Sequence, residues 1–319
     1  INPRVGGVLL VGPRGTGKTT AVRGLADLPP SVQRSTCFYG CTAEDIEEGG
    51  LDAVCPDCAK KYLEGTPLTK TDPAALVELP LNAQLDDVIG GVDERVVMHE
   101  RFRLKRGILG RADQNILYID EVNLLPDEIV DAILDASAQQ QYTVRRGAVS
   151  ASYKSRFTLI GSMNPEEGNL RPQIMDRFGL RIIVRGLTNP DERFRAYQWV
   201  HAYHRSPRHF INQFSEETGF AREEITSART QLNKVVLSRE AAMTGINLIQ
   251  RFKVDSLRAE ISLFEASRAY AAADGRFEAT TADILTVAPM ALRLRRSLFM
   301  VEYFNEQEKE EKELQDLLK

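Results

Sequence analysis

The chain has 319 residues, 43% of them hydrophobic and 27% charged, with a net charge of −4. That is an ordinary globular composition, long enough for one large domain and a smaller one. No apolar run approaches the roughly 18 to 20 residues that a bilayer-spanning helix requires, and the first residues given, Ile1-Asn2-Pro3-Arg4, lack the signal-peptide pattern; a cytoplasmic protein with no global attraction to nucleic-acid phosphates is expected.

The first element is the apolar strand Val8 to Val11, followed at once by Gly12-Pro13-Arg14-Gly15-Thr16-Gly17-Lys18-Thr19. This matches G-x-x-x-x-G-K-[ST] in the strand-then-helix setting the motif requires. Glycines let backbone N–H groups cradle a β-phosphate, Lys18 reaches the β and γ oxygens of ATP, and Thr19 ligates Mg²⁺. Thr20 completes the nucleotide-binding set. A P-loop fold usually has a segment before this strand, so a natural N-terminal portion is expected to be missing.

Next comes a loop-rich excursion over residues 37–69, which holds all four cysteines as Cys37-x₃-Cys41 and Cys55-x₂-Cys58. In a cytosolic protein such pairs point to Zn²⁺ rather than to disulfides, because four thiolates complete a tetrahedral shell. A CxxC redox pair or an iron–sulfur cluster on the same ligands are the alternatives. Farther on, Ile116-Leu117-Tyr118-Ile119 reads as a buried strand ending in Asp120-Glu121. Asp120 is positioned to hold Mg²⁺ and Glu121 to polarise the attacking water.

The stretch from 141 to 156 holds two strand-like pieces around Arg145-Arg146-Gly147. Its basic tip reads as solvated or partner-contacting rather than as a nucleic-acid site. The strand at Phe157 to Ser162 leads to Asn164, a neutral polar side chain placed for the same water or the γ-phosphate. After the strand Leu180 to Val184 the pattern turns helical: Asp191 to His204, Ser215 to Lys234, Ser238 to Arg251, Leu257 to Ala273 and Thr281 to Leu294. Strands alternating with helices, then helices alone, predict an α/β domain with a parallel sheet flanked by helices and a smaller all-helical lid. The expected organisation is a nucleotide-binding domain over 1–189, a helical connection over 190–236, a lid over 237–300 and a charged tail over 301–319.

Several strings make the resemblance specific: Gly12 to Thr19, Leu117 to Leu125, Gly161-Ser162-Met163-Asn164-Pro165-Glu166-Glu167-Gly168, and Leu170-Arg171-Pro172-Gln173 through Asp176-Arg177-Phe178-Gly179. Together they resemble the ATPase I subunit of magnesium chelatase, in the AAA+ chelatase and MoxR group. Glu78-Leu79-Pro80 with Gly90 matches the family's helix 2 insertion, and Ile225 to Arg229 its long helix before the lid. The resemblance implies that Asn164 is sensor 1, Arg177 an arginine finger acting in trans and Arg258 sensor 2. It also implies a homo-oligomeric ring, usually a hexamer, with ATP at each interface, and the hairpin around Arg145 facing the pore. This ring would work with an integrin-I-domain D-type subunit and a large H-type subunit that inserts Mg²⁺ into protoporphyrin IX, in the cytoplasm or the plastid stroma. A MoxR-like chaperone ATPase, a cobaltochelatase-like subunit and a nucleic-acid motor are the alternatives. No residue of the chain reads as a porphyrin site.

Overall fold

The computed structural model describes residues 1–92, 104–147, 149–296 and 307. The strands of the main sheet are β1 (Val8–Val11), β4 (Leu76–Leu79), β7 (Ile116–Ile119), β10 (Thr158–Met163) and β11 (Leu180–Ile183). All pair in parallel, in the order β11-β1-β10-β7-β4. Parallel strands are covered on both faces, which is why they read as unbroken β-branched and leucine-rich runs. Every residue of β7 is buried. With a side-chain period of two, Leu117 and Ile119 enter one core with Leu9, Val11, Leu159 and Met163, while Ile116 and Tyr118 face the other with Ile160 and Val22.

Helix α1 (Lys18–Gly24) puts Val22 into the second of these cores. Two antiparallel strands, β2 (Val32–Ser35) and β3 (Thr69–Asp72), then lead out to and back from the cysteine excursion. The excursion is not simply loop. It holds α2 (Ala43–Gly49), opened by a Thr42–Asp45 capping box, and α3 (Pro56–Leu63), with Cys55 at its N-cap and proline at its first position. Glu78-Leu79-Pro80, expected in the helix 2 insertion, instead closes the edge strand β4. After it come α4 (Leu85–Ile89) and the short antiparallel pair β5 (Gly90–Val92) and β6 (Leu104–Arg106).

After α5 (Ile108–Arg111), α6 (Asp127–Gln139) buries Ile129, Val130, Ile133 and Leu134 on the first core; truncating Ile129, Ile133 or Leu134 to alanine is worth about 2–5 kcal/mol. The hairpin β8 (Gln141–Arg146) and β9 (Val149–Lys154) precedes β10 directly, as expected. Helix α7 (Pro172–Arg177) leads into β11.

The remainder is helical: α8 (Pro190–Arg205), α9 (Pro207–Gln213), α10 (Ser215–Leu232), α11 (Arg239–Arg251), α12 (Arg258–Ala273) and α13 (Thr281–Leu292). A two-residue parallel pair, β12 (Val236–Leu237) and β13 (Glu278–Ala279), ties the start of the lid to the loop before α13. Helices α11 to α13 share a core of Ala241, Ile249, Leu263, Ile284, Val287 and Ala291, into which Val5 and Leu180 of the nucleotide domain also pack. The charged tail lies outside the described residues apart from Gln307.

Candidate functional site

The phosphate loop depends on two glycines for different reasons. A Cβ at Gly12 would lie 2.3 Å from the carbonyl oxygen of Val184, so only glycine permits that approach. Gly17 caps α1 at φ 81°, in the left-handed region that favours glycine. Lys18 folds back over the loop, its Nζ donating to the carbonyls of Gly12 at 2.8 Å and Pro13 at 2.7 Å.

Opposite, β7 delivers Asp120. Thr19 Oγ1 donates to Asp120 Oδ2 at 3.2 Å, Ser162 Oγ donates to Oδ1 at 2.5 Å, and Tyr118 Oη lies 2.8 Å from the same Oδ1. Burial alone would raise the Asp120 carboxyl, but donation from Ser162, Tyr118 and Thr19, with the Lys18 cation nearby, holds it below the usual carboxylate range. Asp120 is therefore ionised and ready for a divalent cation. Glu121 leaves the strand at φ 53°, a left-handed conformation costly for a side chain with a Cβ, and its N–H donates to Ser162 Oγ at 3.2 Å.

These groups converge on a cleft of about 230 Å³ lined by Arg14 to Thr20, Asp120, Glu121, Ser162 and Asn164. Strand order explains the convergence: β10 lies between β1 and β7, so its end brings Asn164 between the phosphate loop and the two carboxylates. Asn164 is buried, and its Oδ1 accepts from the Glu166 N–H at 3.2 Å, which fixes the orientation of the amide. The donor set fits Mg²⁺ with a nucleotide, since a hydroxyl and an ionised carboxylate already bond each other across the cleft.

Arg177 and Arg258 do not line this cleft. Arg177, at the end of α7, pairs with Asp131 at 3.2 Å and Asp135 at 2.9 Å on α6. Arg258, well exposed at the start of α12, lies 3.4 Å from Asp176. Asp176 is the centre of a second cluster that sequence reasoning missed. Arg295 donates to its Oδ1 at 2.5 Å and to the carbonyls of Asp176, Phe178 and Gly179, and Ser256 donates to its Oδ2 at 2.7 Å. Arg181, fully buried, donates to the Met175 and Arg293 carbonyls. The lid is thus clipped to the end of α7, beside Arg177. Ser162 and Tyr118 were also missed as site residues: Tyr118 lies two residues before Asp120 and so shares its side of the strand, whereas only the β7–β10 register places Ser162 there.

The four cysteines come together. Their sulfurs all lie within 4.8 Å of one another, three of the residues are buried, and Cys37 is partly exposed. Cys37 Sγ is 3.8 Å from Cys41 Sγ and 3.6 Å from Cys55 Sγ. One tetrahedral Zn²⁺ with bonds of about 2.3 Å spaces its sulfurs by about 3.8 Å, whereas a multi-iron cluster spreads its four thiolates wider. Backbone N–H groups of Cys55 and Cys58 donate to the sulfurs of Cys41 and Cys55, an arrangement that favours thiolates. The Cys37 thiol is pulled well down, chiefly by its hydrogen bond with Cys41, while Cys41 is pushed up by the same bond and by burial.

Two family models match, "AAA lid domain" over residues 243–317 and "MCM P-loop domain" over residues 90–193. The magnesium-chelatase subunit ChlI homolog of Methanocaldococcus jannaschii is 39% identical over 98% of this chain and 84% of its own length. The magnesium-chelatase 38 kDa subunit of Acidiphilium rubrum is 37% identical over 92% and 85%, and the ChlI subunit of Cyanophora paradoxa 35% identical over 99% and 90%. Among solved structures, a putative ATPase from Cytophaga hutchinsonii superposes with a TM-score of 0.57 at 18% identity, covering 92% of this chain and 78% of that one; it supports the fold.

Proposed function

The chain belongs to the magnesium-chelatase subunit I family and is an AAA+ ATPase, and we propose that it is the motor of a metal-inserting complex. In this reading copies of the chain form a ring, a hexamer, that hydrolyses ATP at its interfaces. The ring drives a D-type integrin-I-domain subunit and a large H-type subunit that inserts Mg²⁺ into protoporphyrin IX, in the cytoplasm or the stroma.

The observation that carries the reading is the convergence of Lys18, Thr19, Asp120, Glu121 and Asn164 on one cleft in a chain whose curated relatives are chelatase I subunits. Lys18 leaves the Gly12 and Pro13 carbonyls for the β and γ oxygens. Thr19 and Asp120 would hold Mg²⁺, which would supply neutralisation of phosphate charge. Glu121 orients and polarises the attacking water, and Asn164 fixes that water against the γ-phosphate. Arg177, which pairs with Asp131 and Asp135 and does not line its own cleft, acts on a neighbour's in this reading, and Arg258 reports from the lid. What supports a ring is α8, which buries none of its residues and exposes Phe194, Tyr197, Trp199 and Val200. What disfavours a nucleic-acid motor is Arg146 at the hairpin tip, which is engaged by Asp86. The finer cofactor assignment is one Zn²⁺ per chain, held structurally by Cys37, Cys41, Cys55 and Cys58.

The test is reconstitution with D-type and H-type subunits, with ATP and protoporphyrin IX supplied. Magnesium porphyrin should form with the unmodified chain and not with Glu121→Gln. A chain that hydrolyses ATP but binds neither partner, and instead co-purifies with another integrin-I-domain protein, would assign it to the MoxR or cobaltochelatase branch.

A further inference from the structure

The cysteine module is too small to hold itself. Its buried core consists of Cys41, Ile46, Val54, Cys55, Cys58 and Leu68, so half of that core is the cysteines. A core of this size does not fix two helices without a staple. The module nevertheless makes specific contacts with the nucleotide domain, and they fall on both of its hairpins.

The first contact is to β6. Arg106 Nη2 donates at 2.5 Å to the carbonyl of Gly40, within the Cys37 to Cys41 turn. Its guanidinium fills the space where a Cβ at Gly40 would sit, and Gly40 is at φ 71°. The same guanidinium lies over the Tyr153 ring of β9, 5.3 Å from its centre.

The second contact is to the end of β9. Helix α2 begins two residues after Cys41 and places Glu44 and Glu48 one turn apart. Lys154 Nζ sits between them, at 2.9 Å and 3.0 Å. Arg156 reaches Glu44 at 3.4 Å and is itself fixed by Asp113 at 3.0 Å. Lys154 is the last residue of β9, Arg156 lies in the short link from β9 to β10, and β10 ends beside Asn164.

We infer that the four-cysteine module is a metal-set brace for both hairpins: a zinc ion fixes the Cys37 to Cys41 turn and α2, and these hold β6 and the β9–β10 link. The inference rests on the zinc reading above. Each ion pair is partly exposed and individually weak, so the brace works only while turn and helix keep one mutual geometry, which is what the metal imposes. Metal loss therefore frees the hairpins without touching the phosphate loop.

Hydrogen exchange on the full-length chain tests this, read over residues 104–106 and 149–156 alongside zinc content by elemental analysis. Two perturbations are compared: zinc removal by a chelator, and the pair Glu44→Ala with Glu48→Ala, which leaves all four thiols in place. The chelated protein should exchange at least about fivefold faster in both segments, with the phosphate loop unchanged. The double variant should keep its zinc and speed up at 149–156 alone. If as-isolated protein contains no zinc, the zinc reading falls and the inference with it. If zinc is present and its removal leaves both segments unchanged, the zinc reading stands and the brace is wrong.

Discussion

Glu121 shows most clearly how a single residue is committed to chemistry. A glutamate at φ 53° is strained, and the strain is held by the Ser162 hydroxyl accepting its N–H while the same hydroxyl donates to Asp120. The two adjacent carboxylates are therefore held differently, in keeping with the separate tasks proposed for them. Asp120 is locked by three hydroxyls, whereas Glu121 is turned off the strand end. The expected consequence is a split between binding and turnover. Lys18→Ala should weaken nucleotide binding by about two orders of magnitude, because it removes the cation that meets the phosphates. Glu121→Gln should bind ATP normally yet lose about 10²- to 10⁴-fold in kcat, because only the group acting on the water is lost. Titration with a fluorescent nucleotide beside steady-state ATPase rates checks both; equal loss of binding in the two variants contradicts the assignment. Lys18, Thr19, Asp120 and Glu121 were legible in the sequence because each sits in a motif whose spacing is local. Ser162 was not, because its role arises from the pairing of Gly161 with Ile119 across two strands 42 residues apart in the chain.

At the scale of elements, long periodic helices and β-branched strands were readable to within a few residues, whereas short pieces were not. Leu76–Leu79 was passed over as a sheet strand because four residues ending at a proline carry little periodicity. What makes it one is its parallel register on β7, from Leu76 against Ile116 to Leu79 against Ile119. The clip between lid and nucleotide domain was equally hidden, since it joins Asp176 to Arg295 over 119 positions. Here burial decides the energetics. The Arg181 and Arg295 side chains are fully buried, so removing their carboxylate leaves cations without compensation. Asp176→Ala should cost about 3–5 kcal/mol in chemical denaturation. The Asp176 carboxyl is held below its usual range; burial pushes it upward, and this is outweighed by Ser256 donation and by the Arg295 and Arg181 cations. A depressed folded-state value means stability fully present above the unfolded value of about 3.9 and lost as pH falls through the folded one. The gap between the unmodified chain and Asp176→Ala should therefore narrow in acid. A gap that persists unchanged below that range would show that packing, and not charge, holds the clip.

At the scale of the molecule, the lid core takes in Val5 and Leu180, and the clip fastens the end of α7, so the lid and the helix carrying Arg177 are mechanically one piece. In the proposed ring, a lid that responded to its own nucleotide would thereby move Arg177 and link successive sites. The fold and the family were legible in the sequence because the motifs are long and ordered. The ring was expected only through the family resemblance, because an exposed aromatic face such as that of α8 is recognisable only once the chain is folded.

The most direct test of shared sites between subunits is to mix two inactive variants. Arg177→Ala alone and Glu121→Gln alone should each assemble and bind ATP without hydrolysing it. Mixed in equal amounts and allowed to exchange, they should regain ATPase activity, since roughly a quarter of the interfaces then hold an intact Glu121 facing an intact Arg177. Mixed rings that demonstrably form yet stay at the parental rates, or an Arg177→Ala protein that hydrolyses ATP on its own, would contradict the account.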